Sequence, residues 1–409
     1  MIPGERLRSA FSLRRNLHAL LVPPAGHLRP LDGLRALSIL WVVLFHAAWY
    51  SLGHVPLGTY FAELLSPWML PFWRGDFGVD VFFVLSGFLI AGILVDERVR
   101  TGRLRLGLFY ARRLLRLWPA LVAAVAVDVA LTPVEPLRAW ANLLYVSNFL
   151  PVLRARMGWT WSLSIEEQFY LVCPWLVLAV MRLPPRVRLL PLAAIALGLC
   201  AIAAWVVQRG GYHAFDAEIV INRPLLLWAR AFDDLYTKPW MRAGPLLAGV
   251  SAALVYRMPA AMQALGRRKA GPALGLLVAL ALGAACTEWR LVATAPRAVE
   301  IGYLASFRTL FGVSVAYVIL LSLSEHPFGR GLARLLSARV LYPFSQLAYA
   351  AYLLNPIVAT LVHHALSPLV QDGGSPMPLF VPCDVAATFG AAAALHLLVE
   401  RPFMQLRPR

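Results

Sequence analysis

Arg35 and His46 stand eleven positions apart inside the apolar stretch Leu31–Tyr50, LDGLRALSILWVVLFHAAWY. On an α-helix that spacing is ~16 Å of rise and ~1100° of turn, so both side chains share one face. Imidazole can take a proton from a hydroxyl near neutral pH. An ionisable group inside a helix long enough to span a bilayer is a functional candidate. The competing reading is a neutral histidine packed against a neighbouring helix. Glu166 lies in WTWSLSIEEQFYLVCPWLVL (Trp159–Leu178) beside Glu167. At 1.5 Å per residue it sits ~9 Å from the outer end of its helix, a depth that His46 reaches from the opposite direction. The two make either a general base with its orienting carboxylate or a structural ion pair.

A second constellation is FYARRLLRLWPA, Phe109–Ala120. Guanidinium groups bind phosphates through paired, charge-assisted hydrogen bonds. If this end of the loop is helical, Arg112 and Arg116 share a face. Arg112, Arg113 and Arg116 are candidates for holding a phosphorylated ligand, against the plainer role of setting topology and binding anionic lipid. The plainer role suits the outlying Arg98–Arg105. In FGVDVFFVLSGFLIAGIL (Phe77–Leu94), Asp80 falls near the outer end, and Ser86 and Gly87 fall mid-span. Small residues there permit close helix contact or leave room for a ligand chain; Gly87 is read as packing. Arg308, His363, His364, Asp384 and His396 also fall in or near apolar runs. They are read as helix-pairing or interfacial anchors that are also able to line an acceptor cavity.

The elements that must position these groups are membrane helices. Of 409 residues, 60% are hydrophobic and 14% charged, and mean hydropathy is +0.66. A soluble chain carries roughly 25% charged residues. The fold class is all-α, a polytopic membrane protein with about ten transmembrane helices. The expected spans lie near Leu34–Leu52, Phe77–Val95, Trp118–Leu131, Thr160–Met181, Arg188–Val207, Trp240–Tyr256, Gly271–Cys286, Ile301–Leu323, Phe344–Leu366 and Leu379–Val399. Leu137–Val152 reads as interfacial or re-entrant. Basic residues concentrate on alternate loops, from Arg6 and Arg8 through Arg98–Arg116, Arg267–Lys269 and Arg330–Arg339 to Arg401, Arg407 and Arg409. The intervening loops carry acids such as Asp216, Glu218, Asp233 and Asp234. By the positive-inside rule both termini are cytoplasmic.

The net charge of +17 therefore reports topology, and no nucleic-acid partner is expected. Cys173, Cys200, Cys286 and Cys383 stand singly, without metal or disulfide spacing. The short apolar run Leu17–Val22 before Pro23-Pro24 is too weak for a cleaved signal. The expected organisation is a cytoplasmic segment 1–30, a transmembrane domain 31–400 and a cytoplasmic tail 401–409.

Several motifs in order resemble the acyltransferase 3 family of integral-membrane O-acyltransferases. They are Leu31-Asp32-Gly33-Leu34-Arg35 with Arg35-x10-His46, then Gly78-Val79-Asp80-x-Phe82-Phe83 with Ser86-Gly87. Phe109-Tyr110-x-Arg112-Arg113-x-x-Arg116 and Trp161-Ser162-Leu163 to Glu166 with Phe169-Tyr170 follow. Weaker echoes are Lys238-Pro239-Trp240-x-Arg242 with Gly249, Tyr349-x-x-Tyr352-Leu353 and Val399-Glu400-Arg401-Pro402-Phe403. The resemblance implies transfer of acetyl from cytoplasmic acetyl-CoA to a hydroxyl at or beyond the outer face of the inner membrane. It implies His46 as base and Glu166 as its partner. Arg112, Arg113 and Arg116 would hold the coenzyme A phosphates, with Arg35 and Ser86 along the donor path. Asp80, Arg242 and Arg308 would lie on the acceptor side.

Acetyl-CoA, a glycan or lipid-linked sugar acceptor and membrane lipids are the expected partners, with no metal. Many members carry a His where Asn355 stands here, which puts in doubt any acceptor contact at that spot. Members that modify peptidoglycan often have an added hydrolase-like domain, and with the chain ending at Arg409 none is expected here. The rival readings are a glycolipid transporter or flippase, and acylation of a small secreted metabolite such as a macrolide. A transporter of this size often shows inverted repeats with broken helices, and none stands out.

Overall fold

The computed structural model describes residues 9–24, 26, 28–52, 69–132, 135–217, 224–267, 270–370 and 375–408. Among them the regular elements are helices, with no strand. In hydrocarbon a backbone amide has no water to bond, and a helix satisfies its N–H and C=O groups within one segment. A short helix, α1 (Leu13–Leu21), precedes α2 (Arg29–Leu52), α3 (Phe77–Thr101), α4 (Leu106–Leu131), α5 (Trp161–Met181) and α6 (Leu189–Gly210). Next come α7 (Leu225–Leu235), α8 (Pro239–Tyr256), α9 (Pro259–Arg267) and α10 (Gly271–Thr287). Then follow α11 (Arg297–Ser322), α12 (Pro327–Leu336), α13 (Leu341–Leu366) and α14 (Met377–Leu395). A π-helical turn over His396–Glu400 leads into α15 (Arg401–Gln405).

Among the described residues eight helices are long and apolar enough to cross a membrane. They are α2 to α6, α11, α13 and α14. The remaining two expected spans are α8, which follows α7 and meets α9 at a bend of 88°, and the shorter apolar α10. Leu197 and Trp205 on α6 and Leu277 and Val278 on α10 are exposed, as helices facing lipid require.

One expectation shifts. The short Trp118–Leu131 span is the second half of the 26-residue α4; its basic first turns depress hydropathy without breaking the helix. The loop before α8 contains α7. Leu137–Val152, read as interfacial or re-entrant, folds as brief helical turns at Pro136–Ala139, Trp140–Leu143 and Ser147–Phe149. Arg6, Arg8, Glu218, Arg268, Lys269 and Arg409, used in the loop-charge argument, lie outside the described residues.

The chain divides into two compact units. The first comprises 1–79, 105–136 and 336–409, which holds α1, α2, the first residues of α3, α4 and α13 to α15. Here α2 packs along α13 and also against α14, while α4 meets α13, α15 and the π-helical turn. The second comprises 80–104 and 137–335. In it α11 packs against α6, α8 and α10, and α8 also meets α5. Gly87 on α3 and Gly249 on α8 let the two backbones touch: a Cβ at Gly87 would strike the Leu246 carbonyl, and one at Gly249 the Val84 carbonyl. Gly87 thus serves packing, as its position suggested.

Candidate active site

In the first unit, α2 carries Arg35 and His46 on one unbroken helix. Its opening motif has a structural logic. Asp32 accepts a hydrogen bond from the Ser345 hydroxyl at 3.0 Å and lies 3.9 Å from the Arg35 guanidinium. Gly33 leaves room for the Leu336 carbonyl, which any Cβ would strike. His46 Nδ1 lies 3.1 Å from the Val42 carbonyl oxygen. A carbonyl only accepts, so Nδ1 carries the proton and donates it. The Nε2 lone pair is then the basic site. Phe45 meets the imidazole edge-on at 5.1 Å between ring centroids.

A carboxylate that sequence reasoning missed belongs to this neighbourhood. Gly75 packs against the Trp41 carbonyl and the Phe45 side chain, and Gly78 against Ser38 and Val42. Those positions are the turns of α2 that lead up to His46. Asp76, between the two glycines, is 3% exposed, and its charge acts on His46. The available signal was Gly75-x-x-Gly78 at the entrance to α3, a spacing that allows close helix approach.

The basic cluster lies in the same unit. Arg112, Arg113 and Arg116 occupy the first turns of α4, so the shared face of Arg112 and Arg116 is real. Arg112 Nε donates to the Pro408 carbonyl at 2.9 Å, and the Arg113 guanidinium lies over the Phe109 ring at 5.9 Å. Burial, followed by repulsion from Arg116, Arg113, Arg401 and Arg112, brings Arg407 down to about 10. Four guanidinium groups thus act on that of Arg407. Arg407 entered the sequence reading only as loop charge, and Arg401 as loop charge and part of a weak family echo, since nothing local announces that the tail folds back beside α4.

In the second unit the three acceptor-side candidates meet. Asp80 accepts from Arg308 at 2.7 Å and from Arg242 at 3.2 Å. Asp80 and Arg242 are 0% exposed and Arg308 3%. Aromatic rings enclose the ion cluster. The Arg242 guanidinium lies 4.6 Å from the Trp161 ring and 4.4 Å from Tyr236, and Arg308 lies 4.8 Å from Phe307. Such contacts offset part of the desolvation of a buried cation. Ser86 and Glu166 also come together: the Ser86 and Tyr170 hydroxyls both donate to Glu166 Oε1, and Tyr170 Oη lies 3.3 Å from Ser86 Oγ.

The remaining polar residues pair locally. Asn355 Nδ2 donates to the carbonyls of its own helix at Tyr352 (2.8 Å) and Ala351 (3.0 Å). His363 on α13 meets Asp384 on α14 at 2.7 Å, and His396 meets Glu400 at 2.8 Å across the π-helical turn. Among the described residues no group of His, Cys, Asp and Glu could hold a metal ion.

The acyltransferase domain of the acyltransferase 3 family matches residues 29–397, nearly the whole helical region. The chain belongs to the acyltransferase 3 family. The O-acetyltransferase OatA of Staphylococcus aureus is 29% identical over 230 residues, which cover 50% of this chain and 34% of that protein. The peptidoglycan O-acetyltransferase OatA of Listeria monocytogenes is 34% identical over 196 residues, 43% of this chain and 28% of that protein. The matched region thus spans about a third of each of these relatives. No solved structure matches the chain. This acyltransferase 3 chain, with its series of apolar helices, is a multi-pass membrane protein.

Proposed function

We propose that the chain is an O-acetyltransferase of the inner membrane that moves acetyl from cytoplasmic acetyl-CoA to a hydroxyl of an extracytoplasmic or lipid-linked glycan. Both termini then face the cytoplasm, in keeping with the loop charges. The observation that carries the reading is His46: a partly exposed imidazole inside a membrane-length helix, with Nδ1 occupied by the Val42 carbonyl. Its Nε2 is left as a base in a chain of an acyltransferase family. The glycan acceptor is supported by the relatives named as O-acetyltransferases, one of them for peptidoglycan.

Nε2 takes the proton of the acceptor hydroxyl as its oxygen attacks the thioester carbonyl. The C–O bond forms, the C–S bond breaks, and the coenzyme A thiolate leaves and recovers the proton from the imidazolium. Glu166, held by Ser86 and Tyr170, is the second catalytic group. Arg112, Arg113 and Arg116 hold the donor phosphates, with Arg35 and Ser86 along the pantetheine path. Asp80, Arg242 and Arg308 serve the acceptor side by fixing the Trp161 and Tyr236 rings.

The test is release of free coenzyme A from acetyl-CoA by purified protein in nanodiscs. His46→Ala is expected to lower turnover by roughly 10²- to 10⁴-fold, the usual contribution of a positioned base, with coenzyme A binding retained. Undiminished turnover in the variant would remove His46 from the mechanism. Absence of both turnover and coenzyme A binding in the wild type would favour a transporter.

A further inference from the structure

A second basic site lies on the first unit and shares only Arg401 with the basic cluster described above. An open cavity of about 670 Å³ is lined by Arg14, Arg15, His18 and Ala19 of α1 and by Arg401 and Gln405 of α15. No carboxylate is among these six residues. The walls are pinned. Fully buried Asn16 donates through Nδ2 to the Ala10 carbonyl at 3.0 Å and the Leu397 carbonyl at 3.3 Å. Its Oδ1 accepts from Gln405 Nε2 at 2.5 Å. Tyr342 on α13 donates to the Ala19 carbonyl at 3.2 Å. So α1 is fixed across the C-terminal turn, with Arg14 and Arg15 exposed.

Arg401 belongs to both basic groups. It lines this cavity and is one of the four arginines that repel Arg407. Two cationic lobes therefore adjoin through a single residue. Like charges gathered around an open cavity repel one another, and an anion between them reverses that cost. Coenzyme A carries two separate anionic groups, a diphosphate on the 5′ side of its ribose and a phosphomonoester on the 3′ oxygen.

Resting on the donor reading above, we propose that the α1–α15 cavity binds the 3′-phosphomonoester of acetyl-CoA, while the cluster of Arg112, Arg113, Arg116 and Arg407 holds the diphosphate. Paired guanidinium groups match a phosphate dianion geometrically. The cavity is thus the specificity element that tells coenzyme A from its dephospho form. A lipid phosphate has the same chemistry, and the experiment separates the two sources.

Turnover is measured with acetyl-CoA and with acetyl-3′-dephospho-CoA, on full-length protein in nanodiscs of phosphatidylcholine alone and of phosphatidylcholine with phosphatidylglycerol. The wild type is expected to show a KM at least tenfold lower for acetyl-CoA in both lipids. In Arg14→Gln/Arg15→Gln the two KM values are expected to converge to within twofold, through a rise in that for acetyl-CoA. Both positions are exposed, so the fold tolerates the change. Equal KM values in the wild type, or a variant that raises both equally, would overturn the inference while leaving acetyl-CoA as donor. Unchanged discrimination together with weaker binding of the variant to phosphatidylglycerol vesicles would make the cavity a lipid headgroup site. No turnover of either thioester by the wild type would remove the donor reading, and this inference with it.

Discussion

Replacing Asp80 by Asn removes the anion that two buried guanidinium groups share while keeping the side chain's shape. The Asp80 oxygen lies 2.7 Å from Arg308 and 3.2 Å from Arg242, with side-chain exposures of 0 to 4% across the three residues. At an effective dielectric of about 20, each pair with charge centres near 4 Å is worth ~4 kcal/mol. The loss is partly masked, because the amide oxygen still accepts a hydrogen bond and because the two arginines repel each other in either protein. Removing one partner of a buried ion pair typically costs ~3–5 kcal/mol, and the lower half of that range is expected for Asp80→Asn. The cost arises from leaving guanidinium charge buried, so Asp80→Asn/Arg308→Gln is expected to be less destabilised than the sum of its single changes by ~1–3 kcal/mol. A thiol-reactive fluorophore reads unfolding during heating in detergent, since the four cysteines are free and Cys173 and Cys286 are buried. An Asp80→Asn protein that melts with the wild type, or a double variant whose effects simply add, would refute this account of the cluster.

Three further substitutions test the first unit's carboxylate and the second unit's helix crossing. Asp76→Asn is expected to lower kcat by roughly 10- to 100-fold, as for loss of ~1.5–3 kcal/mol of stabilisation of the imidazolium. The KM for acetyl-CoA is expected to hold, and a change confined to KM would count against Asp76 as a positioning residue for His46. Gly87→Val is expected to cost ~1–3 kcal/mol by forcing α3 and α8 apart, since its Cβ would strike the Leu246 carbonyl. Gly198→Ala on α6, where the added methyl meets open space, is expected to stabilise by up to ~1 kcal/mol through helix propensity. Equal melting of these two glycine variants would contradict the backbone contact.

The class of the protein and most of its candidate residues were legible in the linear order of the chain. Membrane helices must be apolar over their length and satisfy their backbones internally, so hydropathy alone locates α2, α3, α5 and α11. The Arg35–His46 relation depends only on helical pitch, and the continuous α2 preserves it. Local rules explain less well the pieces that hydropathy scores poorly, such as the basic first turns of α4 and the helix α7 before α8.

What tertiary structure decided is which distant groups meet. Asp80, Arg242 and Arg308 come from three helices, and no local signal says that one carboxylate receives both guanidinium groups. Glu166 finds Ser86 and Tyr170, and the tail returns Arg401 and Arg407 to the arginines of α4. Asp76 gains its meaning from two glycines that let the entrance of α3 press on α2. The sequence alone determined that ionisable groups are embedded in apolar helices, because their cost there is a property of the residue and its solvent. Their partners were set by packing, because contact between helices depends on the approach of whole backbones, which no short stretch of sequence encodes.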